Sequence, residues 1–258
     1  MKPAGKVIVV TGGASGIGRA LAARFGNEGA RAVVIVDRDA ARVEQAAAEL
    51  GCHGIVADIA TDEAVIDLID RTEKEHGPID LFCANAGIGG SGGLQASDSD
   101  WQRSWDVNVM AHVYAARCLI PRMLERGGGY FLHTASAAGL LSQFEATYAV
   151  TKHATVAFAE WLSITYGDQG IGVSCLCPMG VETDMFNMMS PVQRERTAGG
   201  KLLSPDTVAN EVLQALEREQ FLILPHEEVL RFWQAKTTDN ERWLKGMRRF
   251  HAVPDASE

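Results

Sequence analysis

The chain has 258 residues, of which 47% are hydrophobic and 22% are charged. This length allows one large α/β domain, and the composition is that of a globular protein rather than a disordered one. The formal net charge of −9 argues against a nucleic-acid partner, because an acidic surface repels phosphate backbones. No apolar run approaches the roughly 18 residues of a membrane span, so no membrane partner is expected.

Short apolar runs alternate with longer stretches of helical spacing along most of the chain. The apolar runs predict strands over residues 6–10, 32–36, 54–57, 80–83, 130–134, 172–176 and 221–224. The stretches between them predict helices over 17–28, 40–50, 62–76, 101–125 and 147–166, with Pro121 expected to kink or end the fourth helix. Nearly continuous apolar strands that alternate with helices predict a parallel sheet covered on both faces.

No repeat and no linker interrupts this alternation, so we interpret residues 1–258 as one domain. Residues 184–203 are rich in Met, Gly, Arg and Glu and are expected to form a mobile lid, while 252–258 are expected to fray. The five cysteines form no CxxC pair, and no hydrophobic leader precedes the first strand. These features predict a cytoplasmic protein with free thiols. The scattered histidines lack metal-ligand spacing, so no metal site is expected.

A glycine-rich loop, Thr11-Gly12-Gly13-Ala14-Ser15-Gly16-Ile17-Gly18, joins the first predicted strand to the first helix. Small residues there allow a tight turn and close approach to a pyrophosphate, at which the helix amides point. Asp37 ends the second strand, where a carboxylate accepts hydrogen bonds from the adenosine ribose and repels a 2′-phosphate. This favours NAD over NADP. Two alternatives remain: Arg38 could pair with a 2′-phosphate, and Asp37 could merely cap the strand.

Polar residues also follow the next two predicted strands. Asp58 and the Ile59 amide are placed to contact adenine. Asn85-Ala86-Gly87 closes the fourth strand, and Asn85 either contacts the cofactor or ties strand ends together through its side chain. The carboxyl ends of parallel strands are where ligands bind in such sheets, so these residues are candidate cofactor contacts.

Tyr148 and Lys152 are spaced i and i+4 on a predicted helix and therefore share one face. A nearby ammonium favours the phenolate and lowers the tyrosine pKa, which would let Tyr148 exchange a proton with a substrate hydroxyl or carbonyl. Alone, such a pair is more often an ordinary surface pair. Ser136 changes that interpretation, because it follows a predicted strand and can hydrogen-bond the substrate oxygen beside Tyr148.

These motifs occur in the order found in the short-chain dehydrogenase/reductase family, and the chain resembles its short single-domain branch most strongly over residues 6–183. The resemblance implies a three-layer, doubly wound, Rossmann-like parallel α/β sheet of about seven strands with helices on both faces. It implies Tyr148 as acid/base, Ser136 as substrate-orienting partner, and Lys152 as the residue that lowers the Tyr148 pKa and holds the nicotinamide ribose. Asn108 matches the family asparagine that holds a water linking the lysine to a proton relay.

Three departures from the family pattern stand out. Ala84 replaces the first of two asparagines before Ala-Gly. The Ser–Tyr spacing is one residue shorter than usual, which predicts a tightened loop over 140–147. Met179 replaces a glycine in the segment 178–183. Val181 and Thr183 are still expected to address the nicotinamide carboxamide, and Met179 is expected to project into the substrate cleft.

The resemblance predicts an NAD-dependent alcohol dehydrogenase or ketone reductase acting on CH–OH groups. The expected cofactor contacts are Gly12, Ser15, Gly16, Ile17, Gly18, Asp37, Arg38, Asp58, Ile59, Asn85, Ala86, Gly87, Tyr148, Lys152, Pro178, Val181 and Thr183. The expected substrate contacts are Ser136, Leu141, Phe144, Met179, Met185 and Phe186. Their apolar character suggests a steroid, aryl or aliphatic secondary alcohol, although these residues could instead pack a lid.

Two alternative functions and an expectation about assembly accompany this prediction. An NADPH-dependent carbonyl reductase is one alternative, and a non-catalytic nucleotide-binding regulator on the same fold is the other. In the family, long helices corresponding to 101–120 and 147–166 pair between subunits, so the resemblance implies a homodimer or homotetramer.

Overall fold

The structure is a computed structural model that describes residues 1–143, 145–189, 191, 193–194 and 201–251. Within these residues, seven parallel strands form one sheet in the order β3-β2-β1-β4-β5-β6-β7. The strands are β1 Val7–Thr11, β2 Ala32–Asp37, β3 His53–Val56, β4 Leu81–Ala84, β5 Gly129–Thr134, β6 Ile171–Leu176 and β7 Leu222–Ile223. The strand order confirms the doubly wound Rossmann-like fold.

Helices cover both faces of this sheet. They are α1 Gly16–Asn27, α2 Ala40–Leu50, α3 Asp62–His76, α4 Asp98–Trp105, α5 Ala111–Glu125, α6 Ala138–Leu141, α7 Ala146–Tyr166, α8 Asp184–Asn187, α9 Pro205–Glu217, α10 Glu227–Thr238 and α11 Asn240–His251. Alternate strand residues point to opposite faces, so Val9 packs beneath α3, α5 and α7, whereas Ile8 packs beneath α1, α2 and α9. Two apolar cores thus hold three layers together.

The predicted helix over 101–125 is divided in the structure. A π-helical segment, Asp106–Met110, separates α4 from α5. Pro121 does not end α5, which continues to Glu125. The proline is exposed, so water can reach the backbone carbonyl that its missing N–H leaves without a helical partner.

Three C-terminal helices, α9 to α11, were not among the predicted elements. The start of α9 carries a recognisable signal, because the Ser204 side chain accepts from the Thr207 amide and Pro205 occupies the first helical turn. Of the predicted lid, residues 190, 192 and 195–200 lie outside the described residues, as do Phe144 and the predicted tail 252–258.

All five cysteines are free thiols, as predicted, and Cys83, Cys175 and Cys177 are buried. Among the described residues, no helix combines the length and the apolar character that crossing a membrane requires.

Candidate active site

A cleft of about 1070 Å³ opens at the carboxyl ends of the strands, where the sheet changes direction between β1 and β4. It is lined by every residue predicted to contact the cofactor, and also by Ser136, Met179, Met185 and Phe186. The fold therefore brings the glycine loop, the ends of β2 to β5 and the Tyr148 helix to one place.

The glycine loop is packed so closely that side chains are excluded from it. Gly12 has a φ of 64°, and a Cβ there would lie 2.9 Å from the Ala86 Cα. A Cβ at Gly18 would overlap the Gly12 carbonyl oxygen. Helix α1 begins at Gly16, so its first amides face the cleft. This arrangement fits the pyrophosphate of a dinucleotide.

Asn85 ties three strand ends together. Its Nδ2 donates to the Thr11 carbonyl at 3.0 Å, and its Oδ1 accepts from the Thr134 hydroxyl at 3.1 Å. The Thr11 Oγ1 in turn accepts from the amides of Asn85 and Ala86 at 3.0 and 3.1 Å. The structural interpretation of Asn85 therefore applies, and the residue lines the cleft as well.

Acidic side chains with basic neighbours surround the outer end of the cleft. The Asp37 Oδ1 accepts from the Arg38 amide at 2.8 Å, which orients the carboxylate at the end of β2. Asp58 pairs with Arg103 of α4 at 3.1 Å. Sequence reasoning missed Arg103, because the partner of Asp58 lies 45 positions away on a different element.

Ser136, Tyr148 and Lys152 meet at the inner end of the cleft. The Ser136 hydroxyl lies beside Tyr148, and its Oγ accepts from the Ala138 amide at 3.1 Å. Lys152 is only 3% exposed. Its Nζ donates to the Thr134 carbonyl at 3.0 Å and lies 5.7 Å from the centre of the Tyr148 ring.

The electrostatics of this group differ in part from expectation. Burial raises the pKa of Tyr148, and the nearby Ser136 hydroxyl opposes that rise without cancelling it. The expected lowering of the Tyr148 pKa is therefore not produced by the polypeptide alone. Burial lowers the pKa of Lys152 to about 8, because the apolar surroundings disfavour the ammonium. The group that titrates near neutral pH is thus the lysine.

Asn108 lies within the π-helical segment and is completely buried. Its Oδ1 accepts from the Ile88 amide at 2.9 Å, and its Nδ2 donates to the Ile88 carbonyl and the Thr151 hydroxyl, each at 3.1 Å. The asparagine therefore links the segment after β4 to the turn of α7 that precedes Lys152. Local π-helical turns of this kind often occur at functional sites.

Two glycines lie against Lys152. A Cβ at Gly87 would be 3.2 Å from both the Lys152 Nζ and the Asn108 Oδ1. A Cβ at Gly139 would be 2.5 Å from the Lys152 carbonyl oxygen. The position of the lysine therefore depends on the absence of side chains on both sides.

Comparison with known proteins identifies the family that shares this arrangement. The family model described as short chain dehydrogenase matches residues 6–193. The chain belongs to the short-chain dehydrogenase family. A 1-deoxy-11-beta-hydroxypentalenate dehydrogenase from Streptomyces exfoliatus is 38% identical over 234 residues, which cover 86% of this chain and 84% of that protein.

Solved structures of similar chains agree with the fold. A short chain dehydrogenase/reductase from Burkholderia phymatum in complex with NAD superposes with a TM-score of 0.86 at 29% identity, covering 94% of this chain and 96% of that chain. An L-sorbose reductase from Gluconobacter frateurii, complexed with NADPH and L-sorbose, superposes with a TM-score of 0.77 at 30% identity, covering 87% and 96%.

In this short-chain dehydrogenase, most but not all of the predicted substrate residues face the cleft. Met179, Met185 and Phe186 line it. Leu141 does not, and that prediction is wrong, because the short helix α6 turns its side chain into the apolar core. Met188, which is 80% exposed, also lines the cleft, and so does Glu145, which was not among the predicted substrate contacts.

The segment after β6 lies close to both ends of the cleft. A Cβ at Gly16 would be 3.0 Å from the Thr183 side chain, so Thr183 lies against the glycine loop as a cofactor contact would. The next residue, Asp184, forms an ion pair with Arg42 of α2 at 2.7 Å. Sequence reasoning missed Arg42, whose place beside the cleft depends on this contact between distant segments.

Proposed function

We propose that this short-chain dehydrogenase transfers a hydride between NAD and an apolar secondary alcohol or ketone. The observation that carries the proposal is the grouping of Ser136 and Tyr148 beside buried Lys152, in the same cleft as a tightly packed glycine loop. A binding module would need the loop but not a tyrosine and a lysine arranged for proton transfer.

The polypeptide would perform the proton half of the reaction. A nicotinamide held by the glycine loop, Val181 and Thr183 would supply the hydride acceptor for oxidation of the alcohol and the hydride donor for reduction of the ketone. Tyr148 takes the hydroxyl proton in oxidation and gives it back in reduction. Ser136 hydrogen-bonds the substrate oxygen and holds it beside the phenol. Lys152 stabilises the phenolate by its positive charge, and its lowered pKa lets it share the proton near neutral pH.

Asp37 supports NAD as the cofactor. Its carboxylate lines the cleft at the end of β2, where it would accept from the adenosine ribose and repel a 2′-phosphate. Arg38 and Arg42 also line the cleft and are the residues that a rival NADPH-dependent carbonyl reductase would use. Because Arg42 is already paired with Asp184, we favour NAD.

The side chains of the inner cleft support an apolar substrate. Met179, Met185 and Phe186 line the same cleft as Ser136, and methionine adapts to irregular shapes. The hydroxypentalenate dehydrogenase among the relatives is named for a hydroxylated substrate, which agrees with an alcohol as the reacting group.

We also propose that the chain functions as a homodimer or homotetramer in the cytoplasm and folds as one domain. Helix α7 exposes Trp161 at 53% and Ile164 at 84%, and α4 exposes Trp105. Apolar side chains of this size on neighbouring helices suit a self-complementary interface between two copies.

A panel of secondary alcohols and their ketones, assayed with NAD and NADP in both directions, tests the proposal. We expect turnover of apolar members, detected by NADH absorbance, with NAD preferred. Preference for NADP would support the carbonyl reductase instead. Tight NADH binding without turnover of any member would favour the regulator.

A further inference from the structure

The turn after β6 is held by a histidine from a distant part of the chain. His226 precedes α10 and is 1% exposed. Its Nδ1 accepts from the Met179 amide at 3.2 Å, and its Nε2 donates to the Gly180 carbonyl at 3.0 Å. Met179 is the residue that stands where the family pattern has glycine, so this contact falls where the chain departs from its relatives.

These two partners define the state of the imidazole. A backbone amide can only donate and a carbonyl can only accept, so Nδ1 is unprotonated and Nε2 carries the hydrogen. The ring that fits here is neutral. Protonation of His226 would place a second N–H opposite the Met179 amide, which removes one hydrogen bond and sets two donors against each other.

The same turn contacts both the cofactor region and the catalytic serine. The Pro178 carbonyl accepts from the Ala137 amide at 2.8 Å and from the Ser136 hydroxyl at 3.5 Å. Pro178, Met179 and Val181 line the cleft. A change in the turn would therefore alter the nicotinamide contacts and the orientation of Ser136 together.

We propose that His226 is a positioning residue whose neutral imidazole holds the turn 178–181 in the conformation that binds the nicotinamide, so that cofactor affinity falls when His226 is protonated. The inference rests on the proposed binding of a nicotinamide cofactor. The proposal assigns a role to His226, which does not line the cleft, and it makes the affinity for the cofactor depend on pH.

The charges around His226 determine the pH range in which the affinity for the cofactor changes. Burial lowers the pKa of His226. The carboxylate of Glu228, on the same helix, opposes that effect, and so does the Gly180 carbonyl. From the segment before α9, the Lys201 ammonium lowers the pKa of His226, while the backbone carbonyl of Lys201 raises it. The net direction is downward, so the neutral ring persists at pH 7 and protonation begins below the usual histidine range near 6.5.

The test compares NADH affinity in the wild type and in His226→Asn, measured by calorimetry from about pH 8 to about pH 5. Asparagine keeps an acceptor for the Met179 amide, loses the donor to Gly180 and does not titrate. We expect about five-fold weaker binding in the variant at the higher pH, the effect of one lost hydrogen bond. The ratio of the two affinities should approach one at the lower pH. Because the other titrating groups are the same in both proteins, their effects on affinity cancel in this ratio.

His53→Asn makes the same change at an exposed histidine and should leave both affinity and its pH dependence unaltered. His226→Gln, which can keep the donor to Gly180, serves as a second variant. An affinity ratio that stays constant across the pH range would overturn the role of His226. Failure of the wild type to bind NADH at any pH would instead overturn the proposed function.

A measurement on the wild type needs no folded variant. Nitrogen NMR of the imidazole should find the hydrogen of His226 on Nε2. Because cofactor binding and protonation are reciprocally linked, NADH should lower the His226 pKa further. An unchanged pKa in the presence of bound NADH would contradict the proposal.

Discussion

The two walls of the cleft are held in different ways. The sheet wall, formed by the glycine loop, Asn85 and the Ser136–Tyr148–Lys152 group, is fixed by hydrogen bonds between neighbouring strand ends and by close backbone contacts. The turn wall, formed by residues 178–189, depends on partners that come from elsewhere in the chain. These are Leu203, which pairs with Val181, and the side chains of His226 and Arg42.

Residues of both walls were predicted, but this difference explains why the contacts that hold the sheet wall could be anticipated and those that hold the turn wall could not. In the sheet wall, each functional residue lies at the end of a strand or on a helix whose pattern is visible locally, so the parallel sheet brings them together. In the turn wall, His226 and Asp184 act through contacts with segments 47 and 142 positions away, and nothing in the local pattern specifies those contacts.

The largest effect should come from removing the phenol of the sheet wall. Tyr148→Phe keeps the ring but cannot exchange a proton, so kcat should fall by about 10²- to 10⁴-fold while NADH binding is retained. Steady-state kinetics and calorimetry measure the two quantities. Tyr166→Phe removes a phenol from the far end of the same helix and should behave as wild type. Turnover by Tyr148→Phe at the wild-type rate would refute the mechanism.

The next effect concerns cofactor choice at the outer end of the sheet wall. Asp37→Ser removes a charged acceptor from the adenosine ribose, so NADH should bind at least about ten-fold more weakly and the discrimination against NADPH should shrink. The ratio of kcat/KM for the two cofactors measures the change. The matched control is Asp39→Ser, which alters the acid that caps α2. If the ratio is unchanged in Asp37→Ser, Asp37 does not select the cofactor and serves only to cap the end of β2.

The pH dependence should follow Lys152, whose pKa is about 8. Oxidation needs the form of the Tyr148–Lys152 pair that has lost one proton, so kcat for oxidation should rise about ten-fold per pH unit below that value and level off above it. Reduction needs the protonated form of the pair, so kcat for reduction should fall as the pH rises above that value. Lys152→Arg keeps a charge that does not titrate in this range and should lose this step from the profile. Persistence of the step in that variant would assign it to another group.

The smallest effect should come from the outer edge of the turn wall. Arg42 and Asp184 are both exposed, so separating them with Arg42→Gln should change NADH affinity by less than about five-fold. A double-mutant cycle with Asp184→Asn isolates the pair. Arg19→Gln breaks an exposed ion pair of the same length, with Glu49, and provides the control. A loss of binding comparable to that of Asp37→Ser would mean that both walls depend on charge equally.

The fold, and the meeting of Ser136, Tyr148 and Lys152 in one cleft, could be predicted from the sequence for a physical reason. Strand ends of a parallel sheet converge whatever the connecting helices contain, so finding the motifs in order was sufficient. The direction of the Tyr148 pKa was not predictable, because it depends on burial by residues remote in sequence. The orientation of Leu141 was also missed, since a four-residue helix can present its side chains to either the core or the cleft.

Gly87 and Gly139 have a consequence for how this protein can be altered. Alanine at Gly139 would collide with the Lys152 backbone, and alanine at Gly87 would have to displace the Lys152 or Asn108 side chain, although neither glycine carries a reactive group. A library of random variants would therefore show loss of activity at two positions whose residues take no part in the reaction. In such a map, the position of Lys152 would be marked by neighbouring residues that must lack a side chain as well as by Lys152 itself.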